Sequence, residues 1–139
     1  MKKEKANAVW NGSVKEGEGK ITTNSKVLEN TSYSYKTRFG EGKGTNPDEL
    51  IAAAHAGCFA MALSLMLGEN NFTPDALDAT AEITMDTDQL KLTKSHITLK
   101  AKIPGIKEEQ FQEIAQAAKE NCPISKVLDL EITMEATLM

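Results

Sequence analysis

From Leu50 to Leu67 the chain carries 18 residues of which only His55 and Ser64 are strongly polar. A run of that length belongs either across a membrane or in the middle of a protein. Six of its residues are Ala, which inserts weakly, and a His interrupts it. The segments that follow alternate apolar and polar residues, and strands of that kind need a helix over one face. The run is therefore read as a buried core helix. Asn46 is a good N-cap, Pro47 suits the first helical position, and Glu49 completes a capping-box-like pattern. Gly68 is expected to end it. A helix apolar nearly all round needs more cover than one small sheet provides, and a second subunit would supply it.

Around this helix the pattern predicts strands. Ala6–Trp10, Gly19–Thr23 and Thr31–Phe39 form a plausible meander, punctuated by Asn11-Gly12 and Asn24-Ser25. Phe39-Gly40-Glu41-Gly42-Lys43-Gly44 lacks the spacing of a P-loop and reads as a flexible connector. After the helix, Leu77, Ala79, Ala81, Ile83 and Met85 alternate with polar residues, as do Ile97, Leu99, Ala101 and Ile103. Both read as antiparallel strands with one face buried. Lys107–Glu120 is an amphipathic helix carrying Phe111, Ile114, Ala115 and Ala118 on one stripe. A short helical turn over Pro123–Leu128 and a last strand through Ile132, Met134, Ala136 and Leu138 complete an α+β fold. Residues 1–139 read as a single domain.

The composition narrows the function. A net charge of −4 gives no global reason to bind nucleic acid or anionic lipid. No apolar leader core follows the charged N-terminus, so the expected compartment is the cytoplasm, where thiols stay reduced. Two cysteines are too few for a disulfide-stapled mini-domain or a Cys-based zinc site.

Cys58 lies in the middle of the apolar run, where a cysteine often only fills space. Cys122 precedes Pro123 at an expected helix N-cap, where free amides favour a thiolate. Arg38 is the only arginine, and its fork pairs with carboxylates and thiolates better than a lysine does. It is placed at a strand end, where a solvated charge explains it equally well. Glu49 is explained by its capping role. His55 falls one turn before Cys58, with no third ligand to suggest a metal. A Cys-His hydrolase lacks any nominated oxyanion hole or orienting carboxylate.

Thr45-Asn46-Pro47-Asp48-Glu49-Leu50-Ile51-Ala52-Ala53-Ala54-His55-Ala56-Gly57-Cys58-Phe59-Ala60-Met61-Ala62-Leu63 closely resembles the OsmC/Ohr family of bacterial thiol peroxidases, the OsmC branch in particular. The likeness continues through Thr37-Arg38-Phe39, Asn71-Phe72-Thr73-Pro74, and Cys122-Pro123-Ile124-Ser125 with Val127-Leu128. Asp48 stands where the family more usually has Glu, and Gly57 is a small-residue variation.

The resemblance implies antiparallel sheets around a long buried central helix in an intertwined homodimer. It implies reduction of organic hydroperoxides, and more weakly of hydrogen peroxide, without metal, haem or flavin. Cys58 matches the peroxidatic cysteine, Cys122 the resolving one, and Arg38 and Glu49 the arginine and glutamate of the site. Recycling of a Cys58–Cys122 disulfide then falls to an external thiol. A competing expectation is a non-catalytic binding protein that uses the apolar pocket for a lipid-like ligand. Helix geometry adds one expectation. Glu49 and Cys58 lie about 180° apart around a straight helix and ~13 Å apart along it. Glu49 is thus expected to serve a partner chain's site.

Overall fold

The computed structural model describes residues 1–139, which divide into two compact units, Met1–Leu50 and Ile51–Met139.

In the first unit, β1 (Ala6–Asn11), β2 (Glu18–Thr23) and β3 (Thr31–Tyr33) form an antiparallel sheet in that order. Gly19 lies in register between Trp10 and Tyr33, and a Cβ there would overlap both rings. Those rings pack tilted, with centroids 5.5 Å apart.

The expected strand over Thr31–Phe39 is corrected. It stops at Tyr33, and α1 (Tyr35–Phe39) follows. The cause is Ser34, whose hydroxyl accepts from the Thr37 amide at 3.3 Å while the Thr37 hydroxyl accepts from the Ser34 amide at 2.8 Å. This reciprocal capping box satisfies two amides and outweighs the strand propensity of Thr and Tyr. Arg38 therefore sits on a helical turn. Gly44, at φ +129°, then brings the Thr45 amide to within 3.0 Å of the Ser32 carbonyl. A side chain at position 44 would collide with that carbonyl.

α2 (Pro47–Glu69) has its first turn, to Leu50, in the first unit and the rest, from Ile51, in the second. Asn46 caps it, its Oδ1 accepting from the Glu49 amide at 2.8 Å. The reciprocal half of the expected capping box is absent. The Glu49 carboxylate accepts instead from the Thr45 hydroxyl at 2.9 Å. Gly68 does not end the helix either. The Phe72 amide donates to the Leu67 carbonyl and the Asn71 amide to that of Gly68, with Asn71 at φ +66°. That is a Schellman motif in which Asn takes the left-handed position. It folds Phe72 back onto the core.

In the second unit the sheet order is β4 (Ala76–Asp86), β5 (Lys91–Lys102), β6 (Glu131–Leu138). β4 and β5 are antiparallel, but β5 and β6 are parallel. The expectation of purely antiparallel sheets is corrected here. The chain between β5 and β6 holds α3 (Glu108–Asn121) and α4 (Pro123–Val127), the crossover that a parallel pair requires.

The core joins three elements. Phe59, Leu63 and Leu67 of α2, Ile97, Leu99 and Ala101 of β5, and Phe111, Ala115 and Ala118 of α3 are fully buried. Each large aliphatic or aromatic side chain removed from water in this way contributes about 1.5–3 kcal/mol. α2 is buried along only one stripe, at His55, Phe59, Leu63 and Leu67. Ala54, Gly57, Met61 and Leu65, at helical spacing on another stripe, are exposed. A single chain thus leaves part of this apolar helix uncovered.

Candidate active site

Cys58 and Cys122 are 64 positions apart in the chain (122 − 58), and the fold brings them together. The turn from α3 into α4 does this. Cys122 closes α3, its amide donating to the Ala118 carbonyl at 3.0 Å, and at once opens α4. Pro123 fits the first position of that new helix without an unmet donor. The turn lies against α2, and Cys58 and Cys122 come close enough for each thiol to shift the ionisation of the other.

The two sulfurs have different surroundings. Cys58 is half-buried; Cys122 is fully buried. Burial pushes the Cys58 thiol up, partly opposed by a hydrogen bond from the Ile124 backbone and reinforced by Cys122. Burial also opposes ionisation of Cys122. There the Ser125 hydroxyl at 3.4 Å, the Ser125 amide at 3.3 Å, Cys58 and the Ile124 backbone together outweigh it. Cys122 is therefore the more acidic thiol of the pair within this chain. The N-cap position expected for Cys122 is observed, with the Ser125 amide donating to its sulfur.

His55 is fully buried, and its ring bridges two hydroxyls. Nδ1 lies 2.7 Å from Ser95 Oγ, and Nε2 lies 2.8 Å from Ser125 Oγ. Ser95 and Ser125 escaped the sequence reading. A signal was there for Ser95. It shares the inward register of β5 with Ile97, Leu99 and Ala101, and a lone hydroxyl on that face demands a partner. Ser125 lay inside the quoted Cys122 motif without a role.

Arg38 and Glu49 belong to the first unit. Arg38 makes a two-pronged contact with Asp48, Nε to Oδ2 at 3.3 Å and Nη2 to Oδ1 at 3.2 Å. Arg38 thus pairs with Asp48 and not with the adjacent Glu49, which is turned to Thr45. Both Arg38 and Glu49 are exposed. A shallow apolar cleft of about 260 Å³ adjoins Arg38, lined by Trp10, Val14, Tyr33, Tyr35, Phe39 and Pro47. No group of three or more His, Cys, Asp or Glu side chains is placed to hold a metal ion.

Residues 40–137 match the family model described as OsmC-like protein. The chain belongs to the OsmC family. It is 48% identical to peroxiredoxin OsmC of Escherichia coli K12 over 136 residues, 96% of this chain and 95% of that protein. It is 33% identical to the organic hydroperoxide resistance protein-like 1 of Staphylococcus saprophyticus over 86 residues, 60% of this chain and 61% of that one. Among solved structures, the organic hydroperoxide resistance protein OhrB of Bacillus subtilis superposes with a TM-score of 0.66 at 26% identity. That match covers 96% of this chain and 98% of OhrB. An OsmC-like protein from Mycoplasma pneumoniae superposes with a TM-score of 0.76, covering 99% of this chain and 98% of that one. At 18% identity it speaks for the fold alone. In this fold the apolar α2 is a core helix, as its His55–Leu67 stripe shows.

Proposed function

We propose that this chain reduces organic hydroperoxides through a Cys58 sulfenic acid that Cys122 resolves to an intrachain disulfide. As a homologue of peroxiredoxin OsmC over nearly its whole length, it is a thiol-dependent peroxidase of the organic hydroperoxide type. The observation that carries the residue roles is the unequal exposure of a contacting thiol pair. Half-exposed Cys58 is open to a peroxide, whereas fully buried Cys122 is placed to meet only what forms on Cys58.

The chemistry follows from that order. The Cys58 thiolate attacks one peroxide oxygen; the O–O bond breaks, and the alkoxide leaves and takes a proton to become the alcohol. Cys58 is left as S–OH. Cys122 sulfur then attacks Cys58 sulfur, the S–O bond breaks, and hydroxide leaves as water after protonation. An external thiol or dithiol returns the disulfide to two thiols by exchange. Every step is sulfur chemistry, and no resident cofactor has a part in it.

Burial raises the Cys58 thiol, so the first step needs a nearby cation. Arg38, its fork held by Asp48, is the cation we assign, with Glu49 beside it, both from a second copy of the chain. The exposed stripe of Ala54, Gly57, Met61 and Leu65 supports that dimer, since an apolar helix face left in water is otherwise costly. The helical spacing of the sequence, which sets Glu49 and Cys58 about 180° apart around an ideal helix, favours the partner's site over its own. The apolar cleft beside Arg38 suits the alkyl part of a hydroperoxide better than a hydrated small peroxide. The cytoplasm, with its reducing thiol pool, fits both the substrate and the recycling step.

Reduced protein is mixed with cumene hydroperoxide and dithiothreitol, and peroxide loss is followed. The wild-type chain turns over; Cys58→Ser does not. Sustained turnover by Cys58→Ser overturns the assignment.

A further inference from the structure

Ser95, His55 and Ser125 form an unbroken line of contacts that ends on sulfur. Ser95 Oγ meets His55 Nδ1 at 2.7 Å, His55 Nε2 meets Ser125 Oγ at 2.8 Å, and the Ser125 hydroxyl donates to Cys122 Sγ at 3.4 Å. Four side chains from β5, α2 and α4 are enlisted, and all four are buried. Direct chemistry with a peroxide is not open to a buried imidazole behind two hydroxyls, so the reaction as described leaves His55 unused.

The direction of the line follows by counting protons. A serine hydroxyl has one proton, and Ser125 spends its own on Cys122. Ser125 Oγ must then accept from His55, so Nε2 carries the imidazole proton. Nδ1 of the neutral ring is left as an acceptor, and the Ser95 hydroxyl fills it. Burial holds His55 in that neutral form by lowering its pKa. Every donor in the line points toward Cys122, and aligned hydrogen bonds of this sort polarise one another in a low-dielectric interior.

We propose that this Ser95–His55–Ser125 line is a positioning device that holds Cys122 as an oriented thiolate, set to close the disulfide on Cys58. It deepens the peroxidase reading and rests on it. His55 and Ser125 act through Cys122 and touch no substrate. The step they serve balances as Cys58–SOH plus Cys122–S⁻ giving the disulfide and hydroxide, which takes a proton from the buffer to become water. The assignment also accounts for the choice of residues. An apolar side chain at position 55 would fill the core equally well but take from Ser95 and Ser125 the ring that joins them. A charged one would carry an uncompensated ion into it.

The other titratable groups around Cys122 are accounted for. α2 presents Cys58, whose thiol favours the Cys122 thiolate, and β5 presents the neutral Ser95. Lys126 of α4 is exposed. On α3, Lys119 donates to the Ile132 carbonyl and Glu120 accepts from Gln116.

The deciding measurement, the ionisation of Cys122, needs no peroxide, so it can fail independently of the peroxidase reading. In a Cys58→Ser background Cys122 is the only thiol, and its ionisation is followed by thiolate absorbance against pH. Adding Ser125→Ala should weaken ionisation about tenfold or more, the usual cost of removing a hydrogen bond to a charged group. His55→Ala should weaken it in the same direction. His55→Gln, which keeps an N–H donor near the Nε2 position, should restore most of the parent profile. Circular dichroism melting confirms that each variant is folded. In the chain with both cysteines, Ser125→Ala should shift the pH profile of sulfenic acid decay upward. Profiles of folded Ser125→Ala and His55→Ala that overlay the parent's would overturn the proposal. So would a His55→Gln profile no better than that of His55→Ala.

Discussion

His55 on α2 and Ser125 on α4 are 70 residues apart in sequence, and their side chains meet at 2.8 Å. This contact ties the turn that carries Cys122 to the helix that carries Cys58, and the two thiols are neighbours because of it. It also gives the fold a pH signature. An unfolded histidine takes up a proton near 6.5, whereas burial holds the folded His55 below that value. Below about pH 6.5 the unfolded chain therefore binds more protons than the folded one, and stability falls as pH drops toward the folded value. Melting temperatures measured between about pH 7.5 and about pH 5.5 should fall for the wild-type chain. The fall should be smaller for His55→Gln, which has no proton to gain. Equal falls in both would remove His55 as the cause.

Cys122→Ser should consume close to one equivalent of hydroperoxide per chain and then stop. Cys58 is left as sulfenic acid with no thiol to condense with, and excess peroxide drives it up the oxidation ladder. Mass spectrometry of the Cys58 peptide should show added oxygen. Continued catalysis by this variant with a thiol reductant would mean that Cys122 is dispensable for resolution.

Leu65 is exposed on the apolar stripe of α2, as is Met61. A charge there leaves a folded single chain intact but is costly inside an apolar dimer seam. Leu65→Asp should elute as a monomer and lose most of its peroxidase activity while keeping its helical signal. A fully active monomer would show that one chain carries a complete site.

Subunit mixing tests where Glu49 acts. Cys58→Ser and Glu49→Ala chains are each expected to be nearly inactive alone. After exchange, the heterodimer should hold one site that combines an intact Cys58 with an intact Glu49 from the other chain. About half of the wild-type activity per heterodimer is expected to return, as one of its two sites is then whole. No recovery after verified exchange would place Glu49 with its own Cys58.

The sequence spoke most clearly where periodicity was strict. β4, β5, α3 and β6 were legible because apolar residues at spacing two or at helical spacing lead directly to the buried faces observed. The break at Ser34 was not, because Thr and Tyr favour strands and the outcome turned on one reciprocal capping contact. Parallel pairing of β6 was hidden as well, since alternation reports which face is buried but not strand direction. Asn71 took the helix-ending role given to Gly68 because a Schellman motif accepts Asn, and Phe72 rewards the later stop with core contact. At the site, the Cys58–Cys122 juxtaposition was implied by resemblance, not by spacing. Asp48 displaced Glu49 as the partner of Arg38, a choice between adjacent carboxylates that only the turn geometry decides.

The most direct measurement of the central claim is a count of free thiols after one equivalent of cumene hydroperoxide. The chain holds two free cysteines when reduced. The count should fall from two per chain to none, peptide mapping should recover Cys58 joined to Cys122, and a non-reducing denaturing gel should show a monomer band of altered mobility. A dominant covalent dimer, or two thiols still free after the peroxide is gone, would contradict the account.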